Sequence, residues 1–413
     1  MKSIIFFETY KSGSSREGII AAKNLGFKVH LLTSNKRFLD EKDEFIEIDE
    51  FHFVDFYELD HIRETIVQIQ KNEHVACVIS FIDSYVYLAA SFSNELCGTN
   101  LSVNAFKVME DKLLTRNQLQ GQPYSPFFDI LPSEASLRPF IKNAKDRLPL
   151  ILKLPKSCGS KHVYLIETRA QLRNRIHFLR TRFDDDLLIE EYLSGPQVIV
   201  EAIVHQGNIQ IATIVEQEIT KSQKFIITGY SISSNELENT YKDSLIKTAH
   251  EIIQTFGLEN GNCHLEMRHV QNAWKLIEAN PRISGGVMND LIQEAYGFNY
   301  VEQILNVYLG NSPTLHRTKE ESVYAHYLTV DEHGELIKVN GKQKALEHNG
   351  VLKVFIKPKK GKILSPPLSM GDRYGYILAK GNTKNEAKMN AIDAASQIKF
   401  HITPLIHQQV EGT

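Results

Sequence analysis

Apolar and polar positions divide the chain into a regular succession of strands and helices. Over the first hundred residues, short apolar runs alternate with amphipathic stretches. The pattern predicts strand Ser3–Glu8, a small-residue turn at Gly13–Ser15, helix Arg16–Leu25, strand Val29–Thr33, helix His61–Gln70, strand Val75–Phe81 and a helix through Tyr85–Leu96. Ser14 and Glu17 have the spacing of a capping box at the first helix. Such a βαβ rhythm predicts a small parallel sheet, with loops Thr9–Ser15 and Ile82–Ser84 at strand C-termini. The turn TYKSGSS lacks the glycine spacing of a dinucleotide loop and reads as a contact or substrate-facing loop.

Between Asn104 and Gln120 the pattern is helical, with Met109, Leu113 and Leu119 on one stripe, and a Pro-rich linker follows at Gln122–Pro132. Next come a strand–loop–strand unit from Leu148, a helix near Ala170–Thr181 and the strand DLLIEEYL. Gln197–His205, Ile209–Ile219 and Lys224–Ser233 read as long antiparallel strands. Helices are expected at Ser244–Phe256 and, as one long element, Asn289–Leu309. The last hundred residues read as a small α+β unit with strands Val351–Ile356 and Tyr374–Lys380 and a final helix, Asn385–Ile398, capped by Thr383 with Glu386 three places on. Residues beyond Pro404 read as a loose tail.

The segment CHLEMRHVQNAWKLIEANPRISGG, Cys263 to Gly286, concentrates the chemistry. HVQNAW supplies a turn between two alternating strands. A hairpin centred on Asn272 sets Glu266 opposite Glu278 and His264 opposite Asn280, whereas a two-residue turn would offset them by one place. Glu278, Asn280 and Arg282 then share a face at period two. Facing carboxylates repel unless a cation lies between them. Mg²⁺, with its preference for hard oxygens, one or two carboxylates and phosphate oxygens, suits that place. An Arg two residues on suits a phosphoryl group or acyl phosphate. The competing reading is a solvated hairpin, against which Trp274, Leu276, Ile277 and Ala279 argue for a strand inside a sheet.

A length of 413 residues implies two to four domains. Composition is that of a soluble globular protein, and a net charge of −3 leaves no basic footprint for nucleic acid. The four cysteines are scattered without metal spacing and read as reduced thiols of a cytoplasmic protein. The N-terminal apolar run meets Glu8 and Lys11 at once, which predicts a strand and not a signal peptide, and no run is long enough to span a bilayer.

Lys153 lies in the apolar strand Leu150–Leu154, where a buried amine needs an anion; the competing reading is an edge-strand lysine that blocks aggregation. The loop Pro155–Ser160 after it is small and donor-rich, as a phosphate-covering loop must be. Taken singly, Lys112 reads as a helix-surface lysine, and Glu190, Glu191, Tyr192 and Leu193 as an ordinary strand end. Taken in order with Glu266 and Glu278-x-Asn280-x-Arg282, these pieces resemble the ATP-grasp superfamily of carboxylate–amine ligases over roughly Ala105 to Gly310. Within it the chain is most similar to bacterial L-amino acid ligases that make dipeptides, in particular the arginine-selective ligases of rizocticin-type antibiotic biosynthesis.

The resemblance implies a mixed α/β and α+β, three-part architecture: an N-terminal βαβ domain over 1–104, a central ATP-grasp region over 105–310 with a lid near 123–195, and a C-terminal α+β domain over 311–413. It implies that Lys112, Lys153 and Ser160 contact nucleotide phosphates and that Glu190 to Leu193 form an adenine hinge. Glu266, Glu278 and Asn280 would hold two Mg²⁺ ions, with Mn²⁺ as a substitute. Arg282 would hold the γ-phosphate and then the tetrahedral intermediate, with backbone N–H groups of Ser284, Gly285 and Gly286 near the substrate. Two positions depart from the family pattern: Lys161 and His162 stand where small residues are usual, and Gln197 where an acid commonly meets the ribose. The expected partners are ATP and amino acids, with a homodimer among the expected assemblies and neither nucleic acid nor membrane. A biotin-carboxylase-like enzyme, a ligase of nucleotide or cofactor biosynthesis and an ATP-binding regulatory protein are the alternatives. Asp83 reads as an ordinary turn residue, with an arginine-pocket role as the sharper option.

Overall fold

In the computed structural model, the described residues are 2–137, 140–141, 147–156, 159, 161–220, 225–233 and 239–405. The expected tail beyond residue 405 and the start of the strand expected from Lys224 lie outside them. The chain forms two compact units. The first comprises Met1–Phe127, Leu193–Ile214 and Leu237–Lys319, and the second Phe128–Tyr192, Val215–Glu236 and Glu320–Thr413.

The first unit opens with the expected parallel sheet. Strands β1 (Lys2–Phe7), β2 (Lys28–Thr33), β3 (Glu50–Phe53) and β4 (His74–Ile79) lie in the order β3-β2-β1-β4, all parallel. Helices Leu59–Gln70 and Val86–Cys97 cover one face, where Ile62, Ile66, Ala89 and Phe92 pack on Ile5, Phe7, Leu32 and Val78. The expected capping box at Ser14 does not form. Gly13 precedes helix Ser14–Asn24 at φ +83°, and the Ser14 hydroxyl donates 2.9 Å away to the carbonyl of Ser284. Gly13 occupies the cap position and Ser14 is already the first helical residue, so its hydroxyl is not placed to cap the helix.

Further along this unit, β9 (Gln197–His205), the first part of β10 (Asn208–Ile219), β12 (Gly261–Val270) and β13 (Ala273–Asn280) lie in the order β13-β12-β9-β10. Two expected helices are each broken in two. Asp111 separates Val103–Glu110 from Lys112–Gln118, adopting an extended conformation and accepting from the N–H groups of Leu113 and Leu114. Gly297, left-handed at φ +85°, ends Met288–Tyr296, and Asn299 caps Tyr300–Tyr308.

In the second unit, β5 (Phe128–Leu131), β6 (Leu150–Lys153), β7 (Val163–Ile166) and β8 (Leu187–Glu191) form an antiparallel sheet in the order β5-β8-β6-β7. Helix Arg169–Arg180 packs on it through Leu172, Ile176 and Leu179. Strand β5 occupies part of the stretch expected to be linker, because Phe128 to Leu131 pair with β8. The remaining strands are β11 (Ile227–Ile232), β14 (Ser322–Leu328), β15 (Gly334–Asn340), β16 (Val351–Ile356), β17 (Ile363–Leu364), β18 (Gly375–Gly381) and β19 (Lys399–Pro404). Helix Lys384–Ser396, capped by Thr383 as expected, lays Ala387, Ala391 and Ala394 against Tyr324 and Ile377.

The β12–β13 hairpin resolves the question of register. Its turn has only two residues, Gln271 and Asn272, both at positive φ (48° and 64°) as a tight hairpin turn requires. Val270 pairs with Ala273 and Met267 with Leu276, an offset that would leave the two carboxylates out of step. A bulge at Ile277 inserts one extra residue, after which Glu266 faces Glu278 and His264 faces Asn280. The carbonyl of Ile277 accepts from Arg116 Nη2 at 2.6 Å, and that arginine is only 2% exposed. Arg116→Met removes the donor from a buried carbonyl and should lower stability by about 1–3 kcal/mol. Urea unfolding followed by circular dichroism measures it.

Candidate functional site

The hairpin gathers its polar groups on the first unit. Glu266 is half-buried, and its carboxyl is pushed well above the usual carboxylate range, first by loss of solvation and then by the facing Glu278. Lys112 opens helix Lys112–Gln118 and places Nζ 3.3 Å from Glu278 Oε1. The helix-surface reading of Lys112 is therefore corrected: its side chain is largely covered and turned to the carboxylate pair. Lys112 and Arg116 are four residues apart on one helix face, so the same element grips the bulge and supplies a cation. Gln197 Nε2 lies 3.3 Å from Glu266 Oε2, and Gln197 Oε1 accepts from Arg268. Arg268 also donates at 2.6 Å to the carbonyl of Leu193.

Asn280 and Arg282 are fixed by His264, whose role the strand pattern alone did not reveal. Burial, and next the charge of Arg282, push this imidazole down to about 4, so it is neutral near pH 7. Its Nδ1 lies 2.9 Å from the carbonyl of Arg282 and its Nε2 3.1 Å from Asn280 Nδ2. The carbonyl can only accept, so Nδ1 carries the proton and Nε2 accepts from the amide. Asn280 Nδ2 is also 3.3 Å from Glu278 Oε1. The Arg282 side chain donates from Nε to Asp83 and from Nη1 to the carbonyl of Ile283 at 2.8 Å. Asp83 is thereby the partner of Arg282, and not an ordinary turn residue. That arginine depresses its carboxyl against the opposing effect of burial.

The Ser284–Gly286 segment is held by groups distant in sequence. Ser284 N donates to Glu201 Oε1 at 2.9 Å, and a Cβ placed on Gly13 would stand 3.0 Å from the carbonyl of Gly286. The expectation that the Ser284 N–H faces a substrate oxyanion is corrected, since Glu201 accepts it in this structure. Glu201 lies inside β9, fully buried, with its carboxyl pushed up to about 7 by burial. Only its polar character in an otherwise apolar strand, QVIVEAIVH, could have marked it in the sequence.

In the second unit, Lys153 and Glu190 form a buried ion pair, Nζ to Oε2 at 2.7 Å. The anion that a buried Lys153 requires is thus supplied within the sheet by β8. Glu191 follows on β8, and the Tyr192 N–H donates to the Pro149 carbonyl at 3.3 Å. Ser160, with Ser157 and Cys158 of the same loop, lies outside the described residues.

The donor set of the hairpin fits a hard divalent cation: two facing carboxylates, one of them with its proton affinity raised, beside an amide side chain. Glu266, Glu278 and Asn280 are the residues that would hold Mg²⁺.

Three families match the chain in sequence order. They are the ATP-grasp N-terminal domain over residues 19–97, the ATP-grasp domain over 146–290 and the L-amino acid ligase C-terminal domain 2 over 326–403. The chain is built from ATP-grasp domains. Dapdiamide A synthase of Enterobacter agglomerans is 21% identical to this ATP-grasp chain over 56% of its length and 57% of the relative's. An L-amino acid ligase from Bacillus licheniformis superposes with a TM-score of 0.81 at 18% identity, covering 98% of this chain and 99% of that one. The biotin carboxylase domain of Hydrogenobacter thermophilus 2-oxoglutarate carboxylase, solved with MgADP and bicarbonate, gives 0.72 at 14% identity over 97% and 91%. At these identities the likeness is one of fold. The chain spans about half the length of the curated relatives it matches, 56% of one and 57% of another. Among the described residues, no helix is long and apolar enough to cross a membrane. Cys77, Cys97 and Cys263 are free thiols.

Glu201 makes the stability of the protein pH-dependent with a definite sign. Its folded value of about 7 lies above its ordinary 4.5, so its contribution is fully present below about pH 4.5 and is lost as pH rises through about 7. Urea midpoints measured with EDTA from pH 4.5 to 8 should fall less steeply in Glu201→Gln than in the parent protein.

Proposed function

We propose that this protein is an ATP-dependent ligase that joins two L-amino acids into a dipeptide, with arginine favoured at the N-terminal position and Mg²⁺ required. The observation that carries the reading is the facing Glu266–Glu278 pair with Lys112 against it, on a chain whose residues 326–403 match the L-amino acid ligase C-terminal domain 2. That C-terminal match favours amino-acid substrates over bicarbonate, which the shared fold by itself does not do.

In the first half-reaction, a carboxylate oxygen of one amino acid attacks the γ-phosphorus of ATP. The bond to the bridging oxygen of ADP breaks, giving an aminoacyl phosphate. Bound at Glu266, Glu278 and Asn280, Mg²⁺ supplies charge neutralisation for the phosphate oxygens. Lys112 is assigned to those oxygens as well. Arg282 remains charged throughout, because Asp83 raises its affinity for the proton and keeps one edge of the guanidinium engaged. In the second half-reaction, the neutral amine of another amino acid attacks the acyl carbon, and phosphate leaves as the C–N bond forms. Arg282, with the N–H groups of Gly285 and Gly286, is assigned to the oxyanion. His264 holds the Arg282 backbone and Asn280 in step, so both halves of the reaction act on one pre-set frame.

Phosphate release with ATP, Mg²⁺ and each amino acid, singly and paired, tests the reading, with product masses read in parallel. Release that needs a pair of amino acids and yields the mass of their dipeptide is expected, with arginine among the productive partners. Release driven by bicarbonate without amino acids would overturn it. Glu278→Ala should lower turnover by at least roughly 10²–10³-fold while the circular dichroism spectrum stays unchanged.

A further inference from the structure

A second polar cluster lies in the parallel sheet, away from the strand C-termini where Asp83 follows β4. Lys28 opens β2 and Glu50 opens β3, while Glu73 immediately precedes β4. In the β2–β3 register His30 pairs with Glu50 and Leu32 with His52, so period-two alternation sets Glu50 and His52 on the same face as His30.

Three potential ligand atoms converge there. His30 Nδ1 is 3.0 Å from His52 Nε2, Glu50 Oε2 is 3.7 Å from His30 Nδ1, and Glu50 Oε2 is 3.8 Å from His52 Nε2. Ligands about 2.0–2.1 Å from a tetrahedral Zn²⁺ stand roughly 3.4 Å from one another. The three spacings bracket that value. The outer nitrogen of His30 is already oriented: Nε2 lies 3.0 Å from Glu73 Oε2, the carboxylate–histidine arrangement that fixes a metal-binding imidazole. Lys28 bonds the other oxygen of Glu50, Oε1, at 2.6 Å and also bonds Glu73. That leaves Glu50 Oε2 as the oxygen turned to the imidazoles. His30 is buried, whereas His52 and Glu50 are partly open, which gives an ion a way in.

From this geometry we infer that His30 Nδ1, His52 Nε2 and Glu50 Oε2 form a binding site for a borderline divalent transition metal, Zn²⁺, with Glu73 positioning His30. The two imidazoles and one carboxylate exclude Mg²⁺ as the preferred ion, and a solvent molecule completes the shell. Without metal, Glu73 accepts from His30 Nε2–H and His30 Nδ1 accepts from His52 Nε2–H. Metal binding replaces the second of these hydrogen bonds and moves the His52 proton to Nδ1. The site ties edge strand β3 to β2.

The test uses the untagged full chain, stripped with EDTA and titrated with Co²⁺ and then Zn²⁺. One Co²⁺ per chain should give visible d–d absorption that one equivalent of Zn²⁺ bleaches. His52→Ala and, at a more exposed position, Glu50→Gln should each weaken the site at least about tenfold, and Glu73→Gln roughly 10–100-fold. Glu278→Ala, which alters the other carboxylate site, should leave the d–d absorption and its bleaching by Zn²⁺ unchanged. Equal Co²⁺ and Zn²⁺ binding by the parent protein and His52→Ala, or loss in Glu278→Ala instead, would overturn the inference.

Discussion

The arrangement of the first unit depends on one register: two glutamates brought face to face across β12 and β13. A two-residue turn alone would have placed them out of step, and the bulge at Ile277 restores them. A bulge leaves backbone groups outside the ladder, and here Arg116 takes the freed carbonyl. The same short helix begins with Lys112, whose amine reaches Glu278. One element therefore both holds the distortion and offsets the charge that the distortion brings together. Partial burial raises the cost of that charge and, with the facing Glu278, pushes the Glu266 carboxyl up. A divalent cation relieves the same repulsion more fully than a single ammonium does.

Around this hairpin, neutral and charged groups have separate tasks. His264 is kept uncharged by burial and by Arg282, and it acts as a hydrogen-bonding spacer between the Arg282 carbonyl and the Asn280 amide. Arg282 keeps its charge through Asp83, from the end of the parallel sheet. Glu201 and Ser14 hold the two sides of the Ser284 peptide. Gly13, left-handed and lacking a side chain, permits the close approach to Gly286. The second unit solves its own problem differently, with Lys153 and Glu190 burying each other as an ion pair on adjacent strands. Breaking such a pair leaves a buried charge, so both residues are bound to the fold as well as to any nucleotide role.

Fold likeness at this level does not choose between amino acids and bicarbonate, since structures solved as an L-amino acid ligase and as a biotin carboxylase domain superpose at TM-scores of 0.81 and 0.72. Substrate choice depends on side chains whose positions no local pattern specifies. Residues 326–403 of this chain match the L-amino acid ligase C-terminal domain 2.

Periodicity determined much of what is local. The βαβ order of the first hundred residues, the strands flanking Asn272, the Thr383 cap and the common face of Glu278 and Asn280 were all legible, because each rests on spacing within a few residues. The break at Gly297 and the strand at Phe128–Leu131 were less so, since a glycine only permits a helix to end and an edge strand needs a partner to exist. The tertiary structure alone decided which turn and bulge would bring Glu266 opposite Glu278, and that Lys112 would face inward. It also recruited Asp83, Glu201 and His264 to hold Arg282, Ser284 and Asn280. Those outcomes depend on contacts between residues 16 to 199 positions apart, whose free energy is set by burial and partnership and so leaves no periodic trace in the chain.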